Sequence, residues 1–293
     1  MKYWPAGSHE GRVEQFYSTG INGRAEPHEF NDDLLNFGLG SRDLPYVRRA
    51  KNLIHHLAKT YLDLGVDDAL LDVGCGMGRQ PEILVSGYMP KIYRGIDVTR
   101  KHVELCKRRF SRFSRETGHT DVEFKHASAV AIPYPEATFT KVLSIEAVEH
   151  CNTRLSFCRE AYRVLRPGGV LACADFILLR DPQSAIERWL VRNGARIWCV
   201  PQANIYDYRT LRSLLESTGF IRISMEFLGA QTIPGYFWGH RKFSVMREVR
   251  KVRGFLKGVL GGFVIDYAVY WLYRRGLMEY VVYRAEKPGI NLH

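Results

Sequence analysis

The chain has 293 residues, 46% of them hydrophobic and 25% charged, the balance of a folded globular protein of one large domain and not of a disordered chain. Its 42 Lys and Arg against 31 Asp and Glu leave a formal charge of +11, so the surface should attract anions: nucleic acid, acidic lipid headgroups or a negatively charged substrate. The six cysteines form no CxxC pair, which argues against a zinc cluster and a dense disulfide framework and fits a reducing cytoplasm.

Residues 1–44, rich in Gly, Asn, His and aromatics without a clear period, read as an irregular arm or cap with one short helix. The stretch MKYWPAGSHEGRVEQF, residues 1–16, has no apolar core of signal-peptide type, and no charge-free apolar run reaches spanning length, so neither secretion nor an integral membrane protein is expected. From Pro45, apolar positions recur at helical spacing through Val47, Leu53, Ile54, Leu57, Tyr61 and Leu62, with the proline at the start where its missing N–H costs little. Strands are then expected at 69–73, 92–96, 122–125, 139–145, 170–176 and 221–227, and helices at 79–86, 99–116, 153–165 and 209–217. Such alternation predicts an α/β fold: a Rossmann-like, mostly parallel seven-stranded sheet with helices on both faces. The seventh strand is 278–285, opening a last segment of 278–293, and the core runs over 45–228.

Between them lies an insertion, 229–277, far longer than a sheet connection needs. Within 241–275 it carries nine basic residues against two acids, and an apolar run interrupted by Lys257, Asp266 and three glycines. Those charges make spanning a bilayer unfavourable. Two readings remain: an inserted helical lid near the C-terminus, or an element lying in the surface of an anionic membrane.

The stretch LLDVGCGMGRQ, residues 70–80, is the most informative. A buried strand delivers Asp72, the chain turns through Gly74, Gly76 and Gly78, and a helix follows; glycines there let the backbone pass close under a ligand. A dinucleotide fingerprint fails because Arg79 stands where its third glycine belongs, and a P-loop fails because no Gly-Lys-Ser/Thr follows. An acid two residues ahead of the first glycine suits a cationic ligand with an amino group, which points to S-adenosylmethionine. Asp97, ending the second strand, can accept from the vicinal hydroxyls of a ribose; its alternative role is to cap the helix beginning near Thr99.

These features resemble the class I S-adenosylmethionine-dependent methyltransferases over roughly 46–227. The resemblance rests on the glycine loop, Asp97, HASAVAIPYPEATF, LSIEAVEHC and YRVLRPGG. Tyr93-x-Gly95-x-Asp97, Leu105-Cys106-Lys107, Glu146-Ala147 ahead of His150-Cys151, and Ala174-Asp175 are similar to the small-molecule and lipid branch, that of ubiquinone-, sterol- and phthiotriol-type methyltransferases. The resemblance implies a cofactor site of Asp72, Gly74, Cys75, Gly76, Gly78 and Gln80, joined by Asp97 and Val98, by Ser128 and Ala129, and by Ile145. The chain departs from the family pattern in two places. Ser128 stands where an Asp commonly receives the adenine amino group, and Thr140 replaces the usual acid opening the fourth strand. No metal is expected.

Methyl transfer from a sulfonium requires water to be excluded, the nucleophile aligned and, for a hydroxyl acceptor, a proton removed. The fourth strand ends in SIEAVEHC, which brings Glu146, Glu149 and His150 to the edge where open α/β sheets bind ligands. His150 suits a general base near neutral pH. The resemblance supports it, since related O-methyltransferases place a His there and an Asp at the end of the fifth strand, here Asp175, expected to orient His150 or bind the acceptor. Glu146 completes the catalytic candidates, more as a lining residue than a reacting one. Trp4, Phe16, Tyr17 and Phe30 in the arm, with Trp189, Trp198 and Tyr206 after the fifth strand, are expected to cap the site, which implies an apolar or bulky acceptor.

A nucleic-acid acceptor is disfavoured: the fourth strand lacks the Asn/Asp-Pro-Pro-aromatic pattern of amino-group methylases, and no proline precedes Cys151. A non-catalytic adenosylmethionine-binding protein is the other alternative. The expectation is therefore a cytoplasmic enzyme methylating a small, apolar or lipid-like acceptor at a hydroxyl, with 241–275 as the segment that would hold it at a membrane.

Overall fold

The computed structural model describes residues 4, 7–20, 33–113, 119–239, 241, 246–247, 250 and 261–289. Its centre is β1 (Ala69–Val73), whose five residues are all buried, as a parallel strand covered on both faces requires. Leu70 packs into the core on one side of the sheet, while Ala69, Leu71 and Val73 pack into the core on the other. Around β1 run β2 (Ile92–Asp97), β3 (Asp121–His126), β4 (Phe139–Ile145), β5 (Leu165–Leu178), β6 (Ile221–Phe227) and β7 (Met278–Glu286). The spatial order is β3-β2-β1-β4-β5-β7-β6, and β7 runs antiparallel between β5 and β6. This is the Rossmann-like, seven-stranded arrangement expected.

The helices are α1 (His9–Gln15), α2 (Tyr46–His56), α3 (Arg79–Tyr88), α4 (Arg100–Phe113), α5 (Arg154–Val164), α6 (Ala185–Ile197), α7 (Tyr208–Thr218), α8 (Gly229–Gly239) and α9 (Gly261–Arg274). Several are closed by side chains of the expected chemistry: Thr153 accepts from the Ser156 N–H at the start of α5, Asp207 accepts from Thr210 N–H before α7, and Gly219 ends α7 at φ +105°. From the sequence no helix is expected at α6, whereas α8 falls within the 229–277 insertion read there as helical. Strand β5 begins at Leu165, where α5 ends, and so is longer than the apolar run 170–176 suggests.

Of the 229–277 insertion, α8 and α9 pack on each other through stacked Phe237 and Tyr270 rings, 4.2 Å apart. Helix α9 reaches α6 through a cluster of Leu272, Leu277, Val191 and Leu178. Lys242, Lys251, Arg253, Lys257, Phe255, Leu256, Val259 and Leu260, on which the lid and membrane expectations drew, lie outside the described residues. Among the described residues no helix is long and apolar enough to cross a membrane.

Candidate active site

The strand order reverses between β1 and β4, and a cleft of about 930 Å³, part of it open to solvent, lies at the carboxyl ends of the strands there. The three loop glycines do different work. Gly74 has φ +80°, and a Cβ there would meet the Ala147 Cβ at 2.3 Å; at Gly78, with φ +99°, a Cβ would come within 3.3 Å of the Cys106 Cα. Both are needed for packing. Gly76, at φ +63°, faces open space, a Cβ there meeting nothing nearer than Leu35 Cδ1 at 4.0 Å, and so is the glycine that leaves room for a ligand.

Asp97 lines the cleft beside it. Its Oδ2 accepts from the Gly76 N–H at 3.0 Å and its Oδ1 from the Thr99 N–H at 2.7 Å, so the carboxylate both ties down the loop and caps the turn into α4. Burial would raise its pKa, but the His102 imidazole 3.4 Å away and the two N–H donors outweigh burial and hold it below the usual carboxylate value. Thr99 and His102 also line the cleft, and Thr99 Oγ1 and His102 Nε2 are buried without hydrogen-bond partners. An ionised acceptor flanked by two unmet polar atoms fits a hydroxyl-bearing ligand such as a ribose. Cys75, Val98, Ser128, Ala129 and Ile145 line the same cleft. Ser128 Oγ lies 3.4 Å from Glu10 Oε1 of α1.

Asp72 departs from expectation. It does not line the cleft. Both its oxygens accept from Gln80 Nε2, at 2.9 and 3.0 Å, and Oδ2 also accepts from the Tyr93 hydroxyl at 2.6 Å, so Gln80 and not Asp72 presents itself to a ligand. Burial pushes the Asp72 carboxyl up to about 6.

On the β4 side, Glu146 sits at φ +51°, a left-handed conformation rare outside glycine. Its Oε1 accepts from the Phe37 N–H at 2.7 Å and from the Tyr280 hydroxyl at 2.6 Å, and burial raises the carboxyl to about 8. His150 lines the cleft at 8% exposure. Its Nε2 is 2.8 Å from the Tyr17 hydroxyl, and its Nδ1 is buried without a hydrogen bond of good geometry. Burial lowers its pKa to about 4, so the ring is neutral at pH 7.

Asp175 is the second departure. It is fully buried and absent from the cleft lining; its Oδ2 accepts from Arg154 Nε at 2.7 Å and its Oδ1 from the Phe176 N–H at 2.7 Å. Neither oxygen is hydrogen-bonded to His150, so it neither orients that ring directly nor meets an acceptor. Glu149 stands nearer, with Oε1 3.8 Å from His150 Nε2, and burial, then the Asp175 charge, raises its carboxyl well above the usual range.

The N-terminal arm contributes directly. His9, Glu10, Val13 and Tyr17 line the cleft, and His9 Nε2 is 2.7 Å from the His150 carbonyl oxygen. Trp4 donates to the Val98 carbonyl at 3.3 Å, and Phe16 meets Trp198 with ring centroids 6.2 Å apart. Trp189 points to solvent instead, and Tyr206 lies under the Arg154 guanidinium; neither caps the cleft. Phe30 lies outside the described residues. Thr99, His102, His9 and Glu10 line the cleft although none belongs to a site motif of the sequence. His102, one turn into α4 from Asp97, was within reach of a spacing argument, whereas the α1 residues arrive by tertiary contact alone.

The methyltransferase domain family matches residues 71–173. Among curated relatives, 27-O-demethylrifamycin SV methyltransferase of Amycolatopsis mediterranei is 39% identical over 191 residues, 64% of this chain and 66% of that one. Erythromycin 3''-O-methyltransferase of Saccharopolyspora erythraea is 33% identical over 163 residues, 54% and 52% of the two chains. Phthiotriol/phenolphthiotriol dimycocerosates methyltransferase of Mycobacterium tuberculosis is 33% identical over 159 residues, 54% and 53%. The chain thus spans from about half to just under two thirds of the length of these relatives. Among solved structures, geranyl diphosphate C-methyltransferase from Streptomyces coelicolor A3(2), in complex with Mg2+, geranyl diphosphate and S-adenosyl-L-homocysteine, superposes with a TM-score of 0.73 at 18% identity, covering 97% of this chain and 100% of that one. That likeness is one of fold.

Proposed function

We propose, on the premise that residues 71–173 are a methyltransferase domain, that this chain transfers a methyl group from S-adenosylmethionine to a hydroxyl of a small, apolar or lipid-like acceptor. The observation that carries the reading is the pairing, in one cleft at the strand-order reversal, of the open Gly76–Asp97 corner with a buried, neutral His150. The names of the relatives above, which act on erythromycin at a 3''-oxygen, on 27-O-demethylrifamycin SV and on phthiotriol or phenolphthiotriol dimycocerosates, support the acceptor class.

When bound, S-adenosylmethionine supplies an electrophilic methyl on a sulfonium, whose thioether leaves without protonation. The chain's own residues do the rest. Asp97, Thr99 and His102 would hold the ribose hydroxyls, Gln80 would face the amino-acid end, and Ser128 with Glu10 would meet the base. The arm excludes water by laying His9, Val13 and Tyr17 over the cleft. His150 Nε2 takes the acceptor's proton as the oxygen bonds to the methyl carbon; in the closed arm that nitrogen is met by Tyr17, so the acceptor hydroxyl takes the place of the Tyr17 hydroxyl. Glu146, hydrogen-bonded to Phe37 and Tyr280, shapes the wall between cofactor and acceptor. The basic segment 241–275 would draw the protein towards an anionic membrane surface holding such an acceptor.

The test incubates the protein with methyl-labelled S-adenosylmethionine and a cell extract and follows the label by mass spectrometry. Label in a lipid or apolar metabolite, as an ether methyl, is the expected result. Label in RNA, or none despite cofactor binding by calorimetry, overturns the reading.

A further inference from the structure

Helix α6 shows an outer face of unusual make-up. Its inner side buries Glu187 and Val191, and Glu187 is occupied by Arg180 at 2.8 Å and by the capping box with Ser184. Its outer side would ordinarily be polar. Instead Ile186 is 62% exposed, Trp189 63% and Ile197 46%. At about 100° per residue these three fall within an arc of about 80°, one ridge along the helix. Arg188, Arg192 and Arg196, all exposed, follow one another at every fourth position in a second ridge beside Trp189. Arg188 donates to the Pro182 and Gln183 carbonyls, and among the described residues no carboxylate forms an ion pair with any of the three.

We infer that this face docks on an anionic lipid bilayer, with α6 lying in the interface plane, Ile186, Trp189 and Ile197 inserted, and the arginines on headgroup phosphates. An exposed apolar ridge bordered by unpaired cations is the pattern of interfacial helices, and tryptophan is favoured where one end of a side chain is apolar and the other wet. Charge complementarity selects an anionic partner, and the isoleucines select a bilayer over a nucleic acid, since aliphatic side chains partition into acyl chains but offer a polynucleotide neither stacking nor a phosphate contact. The surface lies outside 241–275, the segment that charge alone singles out. Its place in the fold gives it consequence: α6 runs directly into Trp198, which meets Phe16 of the arm beside the cleft. Docking would bring the mouth of the arm to the membrane, where a lipid-like acceptor resides; that last step rests on the methyl-transfer reading, whereas the docking itself does not.

Flotation with phosphatidylcholine vesicles, with and without phosphatidylglycerol, tests it. The protein should float only with anionic vesicles and less at high salt, because screening shortens the reach of the arginines. Trp189→Glu and Ile186→Glu should each lower partitioning about tenfold or more, and Arg188→Gln with Arg192→Gln and Arg196→Gln should lower binding to the anionic vesicles about tenfold or more as well. Calorimetric titration with S-adenosylmethionine on the same variants should be unchanged, which also shows that they fold. The inference is overturned if the wild type stays unbound to anionic vesicles at low salt, if Trp189→Glu binds as the wild type does, if only Arg247→Gln and Arg250→Gln abolish binding, or if an RNA probe is bound through the same arginines while vesicles are not. A failed methyl-transfer reading would show itself differently, as absent cofactor binding or absent product with vesicle binding intact.

Discussion

On the β1–β2 side of the cleft, Asp97 receives two backbone N–H donors and faces His102, so its charge is retained in the fold; Asp72 behind it is walled off by Gln80 and Tyr93. On the β4 side, Glu146 is raised to about 8, Glu149 is raised well above the usual carboxylate range and His150 is lowered to about 4, each chiefly by burial. One side is thus preorganised to present a fixed negative acceptor, and the other to keep Glu146 and His150 neutral at pH 7. On the proposed reading the difference divides two tasks: the ionised Asp97 can accept from ligand hydroxyls, and the neutral imidazole of His150 has a free lone pair for a proton, which the protonated Glu146 lacks.

The comparison breaks most visibly at His150. On the proposed reading, in which the ring takes the acceptor's proton, His150→Ala should lower turnover about 10²- to 10⁴-fold while leaving cofactor affinity within a few-fold. Stopped assays across pH 6 to 9 alongside calorimetry check this; a loss smaller than about tenfold would assign the proton elsewhere or to no residue. The lowered pKa adds a sign. A base must be deprotonated, so the acid limb of turnover should fall near pH 4 and not near the 6.5 of an ordinary imidazole.

Asp97→Ala should break the opposite side. A charged hydrogen bond is worth about 1.5–3 kcal/mol, so affinity for S-adenosylmethionine should fall roughly ten- to a hundredfold while turnover at saturating cofactor changes much less. Gly76→Val should weaken binding at least as much, since its Cβ enters the cleft and its φ of +63° is strained for a branched side chain. Unchanged calorimetric affinity for both variants would remove the cofactor corner altogether.

Glu146→Gln sharpens the comparison through stability. The amide oxygen can still accept from the Phe37 N–H and the Tyr280 hydroxyl, but nothing at the position ionises. In the wild type the folded carboxyl titrates near 8 and the unfolded one near 4.5, so the fold holds the proton more tightly. That contribution is fully present below about pH 4.5 and is lost as pH rises through 8. Melting temperatures from pH 5 to 9 should therefore fall for the wild type relative to the variant, with the gap widest at pH 9. A gap independent of pH would mean that Glu146 is ionised in the fold.

Much of the first side was legible in the chain because its parts are local. Gly74, Gly76, Gly78 and Asp97 follow strand ends within one βαβ unit, and the strand rhythm sufficed for the sheet. The second side was read less well for a physical reason: its partners come from far away. Asp175 was transferred as a site residue by resemblance, but Arg154, a buried cation 21 positions earlier, claims its carboxylate, and only tertiary packing reveals that. Asp72 pointed at a ligand by position, and Gln80, eight positions on in the first turn of α3, intercepted it. Helix α6 left a trace that went unused, the Ser184-x-x-Glu187 capping box. The insertion of β7 between β5 and β6 follows from pairings across more than fifty residues and has no local signal.

Tyr17 is where the two sides and the arm meet, and it carries the smallest expected effect. Its hydroxyl is 2.8 Å from His150 Nε2, across 133 positions of sequence, and it helps bury the ring whose burial depresses its pKa. Tyr17→Phe removes one hydrogen bond, worth about 0.5–1.5 kcal/mol net, from the closed arm. Closure over the cofactor should weaken accordingly, by about tenfold at most in S-adenosylmethionine affinity. The looser arm should admit water to His150, and the imidazole then moves back up from about 4 towards 6.5, carrying the acid limb of turnover with it. Calorimetry and a pH–rate profile on the variant measure the two shifts together. If neither moves, the arm does not close over His150 in solution and the base is open to solvent in the resting enzyme. If affinity falls while the limb stays put, the arm guards the cofactor corner alone, and the low pKa of His150 comes from the β4 wall beneath it.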